Sequence, residues 1–250
     1  MLSSEFIDKI KSNASNVENA RKDAELDSSV ISYHDYGSSI VEKYKTLRTN
    51  LKTYFIKKQL KGELEESQKA KVLTVTSSVL GEGKTITAIN LAVVLANDIG
   101  SSVLLIDCDL HRGMNGVNEF LKTPSSPGLS EVLAGNANLY DVIYPTKIND
   151  LYVMPCGEVP VNPSELLGSE NMIKTIETLK KYGFSYILLD APSILPYTDA
   201  GILGTVTDGV IFIVRSGKTQ TNAIKKSLSL LKHAQADVIG FVMTHSNIYS

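Results

Sequence analysis

The segment SVLGEGKT, which begins at Ser78, combines residue types that together bind phosphate groups. Gly81 and Gly83 allow a backbone to wrap closely around phosphate oxygens, while the Lys84 side chain reaches the β- and γ-phosphates. The Thr85 hydroxyl is a typical ligand of Mg²⁺ in such a loop. The usual pattern, G-x-x-x-x-G-K-[ST], begins with glycine, whereas this segment begins with serine. The predicted nucleotide contacts are Ser78, Gly81, Glu82, Gly83, Lys84, Thr85 and Ile86.

Carboxylates lie at the ends of two further predicted strands. The segment LLIDCDLHR contains Asp107 and Asp109, and YILLDAP contains Asp190. Because the carboxyl ends of parallel strands form the ligand crevice of a sheet, we expect these side chains to face the phosphate loop. Asp190 is placed to hold Mg²⁺ opposite Thr85. A single aspartate at a strand end is more simply explained as a helix cap or turn residue, and a glycine-rich turn often caps a helix without binding any ligand. The combination of these features in one sequence favours a metal–nucleotide site.

The elements that position these residues follow a regular alternation. Short β-branched runs alternate with amphipathic segments from Val72 onward, which is typical of βαβ units and a parallel sheet covered on both faces. The predicted strands span 72–78, 102–109, 151–157, 185–192, 209–217 and 238–244, and the predicted helices span 84–98, 128–134, 163–182, 199–206 and 219–234. We therefore predict an α/β fold with a doubly wound, mostly parallel sheet of the P-loop NTPase type, preceded by an N-terminal helix.

The N-terminal part of the chain divides into two segments. Residues 1–36 are rich in polar residues and are predicted to form a mobile extension. The domain is predicted to span 37–250, beginning with a helix over about 38–58, because apolar residues recur there at spacings of three and four.

Composition excludes several classes of protein. The chain has 250 residues, of which 43% are hydrophobic and 21% charged, so it contains enough apolar material for a folded core. A net charge of −2 gives no electrostatic case for nucleic-acid binding. The 2 cysteines, Cys108 and Cys156, lie in apolar runs and are interpreted as reduced core residues. No apolar run approaches the roughly 18 residues of a membrane-spanning helix, so we expect a cytoplasmic protein.

With these motifs in place, the sequence resembles the bacterial tyrosine kinases, the autokinases associated with capsule and exopolysaccharide synthesis. LGEGKT is similar to the Walker A motif of that family, IDCDLHR to its second aspartate motif, Walker A′, and ILLDAP to its Walker B motif. Further segments similar to the family are SPGLSEVLAG (126–135), GEVPVNPSELL (157–167) and DAPSILPYTDA (190–200). The resemblance extends over about residues 38–245 and implies the P-loop fold that the family shares with the MinD and ParA ATPases.

This resemblance implies an ATP-dependent protein-tyrosine kinase that uses ATP and Mg²⁺. The implied metal ligands are Thr85, Asp109 and Asp190, and the implied catalytic residues are Lys84, Asp107 and Asp109. Within the acidic pair we favour Asp107 as the base that takes the proton of the incoming tyrosine hydroxyl. Asp109 would then act on the Mg²⁺ side, and Lys84 would contact the phosphates.

The resemblance also implies several partners. Glu42, Lys45 and Arg48 share one helical face and resemble a Glu-x-x-Arg-x-x-Arg element through which the family assembles homo-oligomeric rings. Lys45 departs from that element, because lysine lacks the bidentate fork of arginine. A separate transmembrane adaptor of the polysaccharide co-polymerase type and a cognate phosphatase are implied as further partners. We expect such an adaptor to hold the protein at the inner face of the cell membrane.

The phosphoacceptor is less well defined by the sequence. The family typically carries a cluster of tyrosines in its C-terminal tail, whereas Tyr249 is the only tyrosine in the tail of this sequence. Tyr33 and Tyr36 are alternative acceptors. Two other functions stay open, namely a regulatory subunit of polysaccharide export with little kinase activity and a partitioning-type ATPase switch. Val79 counts against the switch, because that class usually has lysine early in its loop.

Overall fold

The computed structural model of the chain describes Phe6, Ile10 and the ranges 25–63, 70–112 and 116–246. At its centre is a 7-stranded sheet with the order β3-β4-β2-β5-β1-β6-β7. The strands are β1 (Lys71–Ser77), β2 (Val103–Asp107), β3 (Tyr144–Pro145), β4 (Leu151–Met154), β5 (Tyr186–Asp190), β6 (Gly209–Arg215) and β7 (Val238–Thr244). Every neighbouring pair is parallel except β3 and β4. The mostly parallel sheet is confirmed, and only β3 was not predicted, because two residues carry no detectable pattern.

Both faces of the inner strands are buried, which explains the uninterrupted apolar run of a strand such as β2, whereas the edge strand β7 leaves Phe241 and Met243 exposed. Along β2, Leu104 and Ile106 contact one core cluster, while Val103 and Leu105 contact the cluster on the opposite face. Successive side chains of a strand point to opposite faces, so a strand covered on both sides needs apolar residues at every position.

Helices cover the two faces in separate groups. The described helices are α1 (Ile31–His34), α2 (Ser39–Leu60), α3 (Lys84–Ala96), α4 (Val117–Leu121), α5 (Leu129–Leu133), α6 (Pro163–Leu167), α7 (Glu170–Lys181), α8 (Asp199–Gly204) and α9 (Thr221–His233), with a 3₁₀ turn at Leu139–Val142. Helices α5 to α9 contribute to one core cluster, and α2, α3 and α4 contribute to the other. The doubly wound architecture with an N-terminal helix is therefore confirmed.

The helix predicted over 163–182 is divided in two. Helix α6 ends at Leu167, and α7 begins after Ser169, whose hydroxyl accepts a hydrogen bond from the backbone N–H of Met172 at 3.4 Å. A serine in this position caps the N-terminus of a new helix. The apolar periodicity continues across the break, so the pattern alone does not reveal it.

The described residues of the N-terminal segment pack against the domain. Phe6 is buried, and its ring centroid lies 4.6 Å from that of Tyr182 and 5.2 Å from that of Phe184. Leu26 and Val30 are buried in the cluster on the opposite face of the sheet. The division of the chain at residue 36 stays a prediction, but these side chains contribute to the core of the domain that follows it.

Replacing Phe6 tests this packing. We expect Phe6→Ala to lower the free energy of unfolding by about 3 kcal/mol, because it removes a buried aromatic side chain from a close-packed cluster. The measurement is urea unfolding followed by circular dichroism. Ile99→Ala is the matched control, since Ile99 is fully exposed and its truncation should change stability little. Equal unfolding curves for the two variants would contradict the packing.

Candidate active site

The loop between β1 and α3 has the backbone shape that a phosphate site requires. Gly81 and Gly83 have φ angles of +77° and +89°, in the left-handed region that favours glycine. Helix α3 begins directly after Gly83, so its free N–H groups and positive dipole end face the concavity of the loop. The side chains of Lys84 and Thr85 are both buried at this helix start.

Contacts within the loop and from the neighbouring strands β6 and β7 hold the loop in place. The Glu82 carboxylate accepts a hydrogen bond from the backbone N–H of Val79 at 2.7 Å and another from the Thr219 hydroxyl. Arg215 donates to the Gly81 carbonyl at 3.0 Å, and the Thr244 hydroxyl donates to the Glu82 carbonyl at 2.7 Å. The Glu82 side chain therefore holds the loop, which leaves its backbone for the predicted nucleotide contact. Sequence reasoning missed the residues from β6, β7 and the segment after β6, because they lie more than a hundred positions away.

The remaining predicted loop contacts differ in burial. The Ser78 hydroxyl is fully buried and has no hydrogen-bond partner among the described residues. Ile86 is half-buried in the first turn of α3, where its carbonyl accepts a hydrogen bond from Asn90 at 2.9 Å.

The carboxylates converge as predicted at the ends of neighbouring strands. Asp107 of β2 lies directly opposite Asp190 of β5 in the parallel register, and both are buried. Asp109 follows β2, and its Oδ2 accepts from Lys84 Nζ at 3.2 Å and from Arg112 Nη2 at 2.7 Å. Lysine of the phosphate loop and carboxylates of both strands thus form one contiguous charged cluster.

Asp107 is held by backbone donors. Its Oδ1 accepts from the N–H of Asp109 at 3.0 Å, and its Oδ2 accepts from the N–H of Val117 at 2.9 Å. Burial, followed by the charge of Asp190, raises the pKa of Asp107 to about 7. A carboxylate with a pKa in this range is suited to accept a proton near neutral pH.

The two other carboxylates lie in different electrostatic surroundings. Burial raises the pKa of Asp109, but the charges of Lys84 and Arg112 outweigh it and hold that pKa below its usual value. Burial also raises the pKa of Asp190, and the opposing effects of Lys84 and the Thr85 hydroxyl do not fully offset it. Asp109 is therefore kept ionised, while Asp107 is able to exchange a proton.

The residues present fit a nucleotide and Mg²⁺. Asp190 Oδ1 is a buried carboxylate oxygen without a hydrogen-bond partner in the described part of the chain. Its carboxylate is hydrogen-bonded to Thr85, the other predicted metal ligand on this side. Within the described ranges, no cluster of three or more His, Cys, Asp or Glu side chains could hold a metal without other ligands. Mg²⁺ commonly binds through one or two protein groups together with substrate phosphates and water, and this donor set suits it.

Gly116 is a site residue that sequence reasoning missed. A Cβ atom at this position would lie 1.7 Å from Asp107 Oδ2. Only glycine allows the backbone of residues 116 and 117 to approach the carboxylate closely enough for the N–H of Val117 to bond to it. The glycine lies outside the recognised motifs, so its role is visible only in the folded chain.

The predicted subunit-contact residues make contacts within the chain. Lys45 Nζ lies 2.6 Å from Glu42 Oε1 and donates to the Tyr36 carbonyl at 3.1 Å. Arg48 donates to the Val94 carbonyl in the last turn of α3 at 3.2 Å. Tyr36 and Tyr33, two of the predicted phosphoacceptors, are 38% and 45% exposed. The third, at position 249, lies outside the described residues.

A glycine-bent phosphate loop between a central parallel strand and a helix, with carboxylates at the ends of the adjacent strands, defines a P-loop nucleotide-binding protein. Comparisons with known proteins agree and define the family. The family model described as an AAA domain matches residues 70–239. The tyrosine-protein kinase CpsD of Streptococcus agalactiae is 33% identical over 207 residues, which span 82% of this chain and 83% of that protein.

Comparison with solved structures also identifies proteins of this kind. The kinase domain of the Escherichia coli tyrosine kinase ETK aligns with a TM-score of 0.76 and 27% identity, covering 88% of this chain and 83% of that one. The chimerical protein CapA2B2 also aligns with a TM-score of 0.76, at 29% identity, covering 89% of this chain and 92% of that one. The chain therefore belongs to the bacterial tyrosine-protein kinase family with the P-loop ATPase fold.

Replacing Gly116 tests the support of Asp107. We expect Gly116→Ala to lower the rate of phosphotyrosine formation about 100-fold, because the added methyl group displaces the Asp107 carboxylate and small misplacements of reacting groups are costly. Gly240→Ala is the control, since a Cβ there meets no atom within 4 Å. An initial rate for Gly116→Ala equal to that of Gly240→Ala would contradict this role.

Proposed function

We propose that this chain is an Mg²⁺- and ATP-dependent tyrosine autokinase that regulates capsular or exopolysaccharide synthesis, with Asp107 as its general base. The observation that carries the proposal is the contrast between two carboxylates two residues apart. Asp109 is paired with Lys84 and Arg112, whereas Asp107 faces backbone donors and Asp190. Neighbouring carboxylates whose environments separate their pKa values are typical of a site that divides proton transfer from charge stabilisation.

The proposed reaction transfers the γ-phosphoryl group of ATP to a tyrosine. The phenolic oxygen forms a bond to the γ-phosphorus, the bond from that phosphorus to the bridging oxygen of ADP breaks, and Asp107 receives the phenolic proton. In such transfers, catalysis depends mainly on positioning and on charge stabilisation. Because Asp107 must be deprotonated to accept the proton, the rate should rise as pH increases through about 7, the pKa of its carboxyl.

The other residues bind and orient the reactants. Lys84 and the N–H groups at the start of α3 would bind the phosphates, with Ser78 and the loop glycines lining the same concavity. Thr85 and Asp190, with Asp109 on the same side, would hold Mg²⁺. When bound, Mg²⁺ neutralises the charge that develops on the phosphate oxygens.

The acceptor and the assembly are proposed from the family. Candidate phosphoacceptors are Tyr33, Tyr36 and Tyr249, of which the first two have exposed side chains. Among the described residues, no helix combines the length and apolar character needed to cross a membrane. A separate transmembrane adaptor that recruits and activates the kinase at the inner face of the membrane, and a phosphatase that reverses the modification, are the proposed partners.

We further propose a ring of identical subunits that contact one another through Glu42, Lys45 and Arg48 of helix α2. The contacts of these residues within the chain leave part of each side chain accessible. Arg48→Ala should therefore reduce the mass measured by light scattering to that of a smaller species, while Lys43→Ala, on the exposed part of the same helix, should not. An unchanged mass for Arg48→Ala would exclude this assembly mode.

The kinase proposal is tested by incubating the full chain with Mg-ATP, with and without the cytoplasmic fragment of an adaptor, and mapping phosphotyrosine by mass spectrometry. We expect Asp107→Asn to lose at least about 100-fold in rate while still binding ATP, because the base is lost. Lys84→Met should lose both activity and ATP affinity, whereas Lys61→Met, at an exposed position, is the control.

The outcomes separate the candidate functions. Phosphotyrosine that disappears in both site variants supports the kinase. ATP binding without phosphotyrosine under any condition would contradict it and favour a regulatory subunit with little catalysis.

A further inference from the structure

His111 connects the turn at residues 109–112, which follows β2, to Asp199 at the start of helix α8. It lies two residues after Asp109, in a turn closed by the N–H of Arg112, which donates to the Asp109 carbonyl at 3.1 Å. Its Nε2 donates to Asp199 Oδ2 at 2.7 Å. The same ring stacks on Tyr197, with centroids 3.7 Å apart and planes 14° from parallel. The His111 side chain is only 20% exposed and is held both by this hydrogen bond and by this ring contact.

The Asp199 carboxylate needs hydrogen-bond donors from the protein, because its side chain is completely buried and cannot bond to water. Asp199 is the first residue of α8, and its other oxygen accepts a hydrogen bond from the Ser164 hydroxyl in the first turn of α6. A buried carboxylate that loses a hydrogen-bonding partner is strongly destabilised. The contact between His111 and Asp199 is therefore well maintained, and it fixes the turn after β2 to the helices on one face of the sheet.

The segment between Asp190 and Asp199 connects this anchor to the phosphate loop. The N–H of Ile194 donates to the Ser77 carbonyl at 2.9 Å, and the N–H of Leu195 donates to the Ser78 carbonyl at 3.2 Å. The middle of the segment is thus bonded to the end of β1 and the start of the phosphate loop, and its last residue, Asp199, is bonded to His111. The segment therefore links the turn at residues 109–112 to the phosphate loop through a continuous series of hydrogen bonds.

We propose that His111 is a positioning residue for phosphoryl transfer, acting through Asp199 to place the Asp109–Arg112 turn relative to the phosphate loop. The inference rests on the proposed kinase function. His111 touches neither the phosphates nor the acceptor in this role. Its neighbour Arg112 holds Asp109 from one side of the turn, while His111 anchors the turn from the other.

The proposed role predicts a specific kinetic signature. Releasing the turn should misplace Asp109 and Arg112 without disturbing the loop that binds ATP. We therefore expect His111→Ala to lower kcat about 10- to 100-fold while the KM for ATP changes less than threefold. Because a fraction of unfolded chain would also lower the apparent kcat and leave the KM for ATP unchanged, kcat is expressed per ATP-binding site, counted by titration with ATP. A purely structural role would leave the kcat per binding site equal to that of the wild type.

A pair of amide variants keeps the test independent of folding. In His111→Gln the side-chain amide reaches the position of Nε2 and can donate to Asp199, whereas in His111→Asn the amide is too short. We expect the Gln variant to recover most of the kcat that His111→Ala loses, and the Asn variant to recover little. His233→Ala, at an exposed position on α9, is the control. Melting temperatures recorded for every variant distinguish loss of positioning from loss of fold.

Transfer to tyrosine and release of ADP are measured in the same incubation with Mg-ATP. Equal kcat values for the wild-type, Gln, Asn and Ala chains would overturn the positioning role while leaving the kinase function intact. A wild-type chain that releases ADP but transfers nothing to tyrosine would contradict the kinase function, and the ADP rates of the variants would still test His111. A wild-type chain with neither activity would contradict both.

Discussion

The structure of this site depends on one electrostatic constraint, the placement of buried carboxylates side by side at the ends of parallel strands. The register of β2 and β5 sets Asp107 opposite Asp190, and adjacent strands lie only about 4.8 Å apart. Asp109 follows two residues later on the same side of the sheet. Like charges at such distances in a poorly solvated region repel strongly unless cations, hydrogen-bond donors or protonation offset them.

The chain offsets this repulsion unevenly, and the uneven distribution makes the site chemically useful. Asp109 forms ion pairs with two cationic side chains, Lys84 and Arg112. Asp107 receives backbone N–H groups, and it is the carboxylate whose pKa rises to about 7. Asp190 keeps an oxygen free of hydrogen bonds within the described residues, beside the hydroxyl of the phosphate loop. The proposed roles of these three aspartates, as proton acceptor, charge stabiliser and metal ligand, are thus distinguished by their surroundings and not by residue type.

Sequence reasoning predicted the parts of this account that depend on local pattern. The strands, the phosphate loop and the acidic residues at strand ends follow from periodicity and motif, and parallel strands bring their carboxyl ends together without further information. The supports of the site were not predictable in the same way. Gly116 is required only because it approaches Asp107, and the Arg215 and Thr219 contacts with the loop join residues far apart in sequence. The contacts of His111 with Asp199 and Tyr197 likewise join residues that are more than eighty positions apart, so no local pattern indicates them.

The central claim is that Asp107, and not Asp109, exchanges a proton near neutral pH. Its most direct test is a pH titration of the aspartate carboxyl carbons by NMR, with Asp107 assigned from the spectrum of Asp107→Asn. We predict a pKa of about 7 for the Asp107 carboxyl. In Asp190→Asn that pKa should fall, because the repelling charge is gone, but should stay above the ordinary value of about 3.9 since the residue is still buried. A wild-type Asp107 that titrates near 3.9, or an Asp109 that titrates near neutrality in its place, would contradict the account.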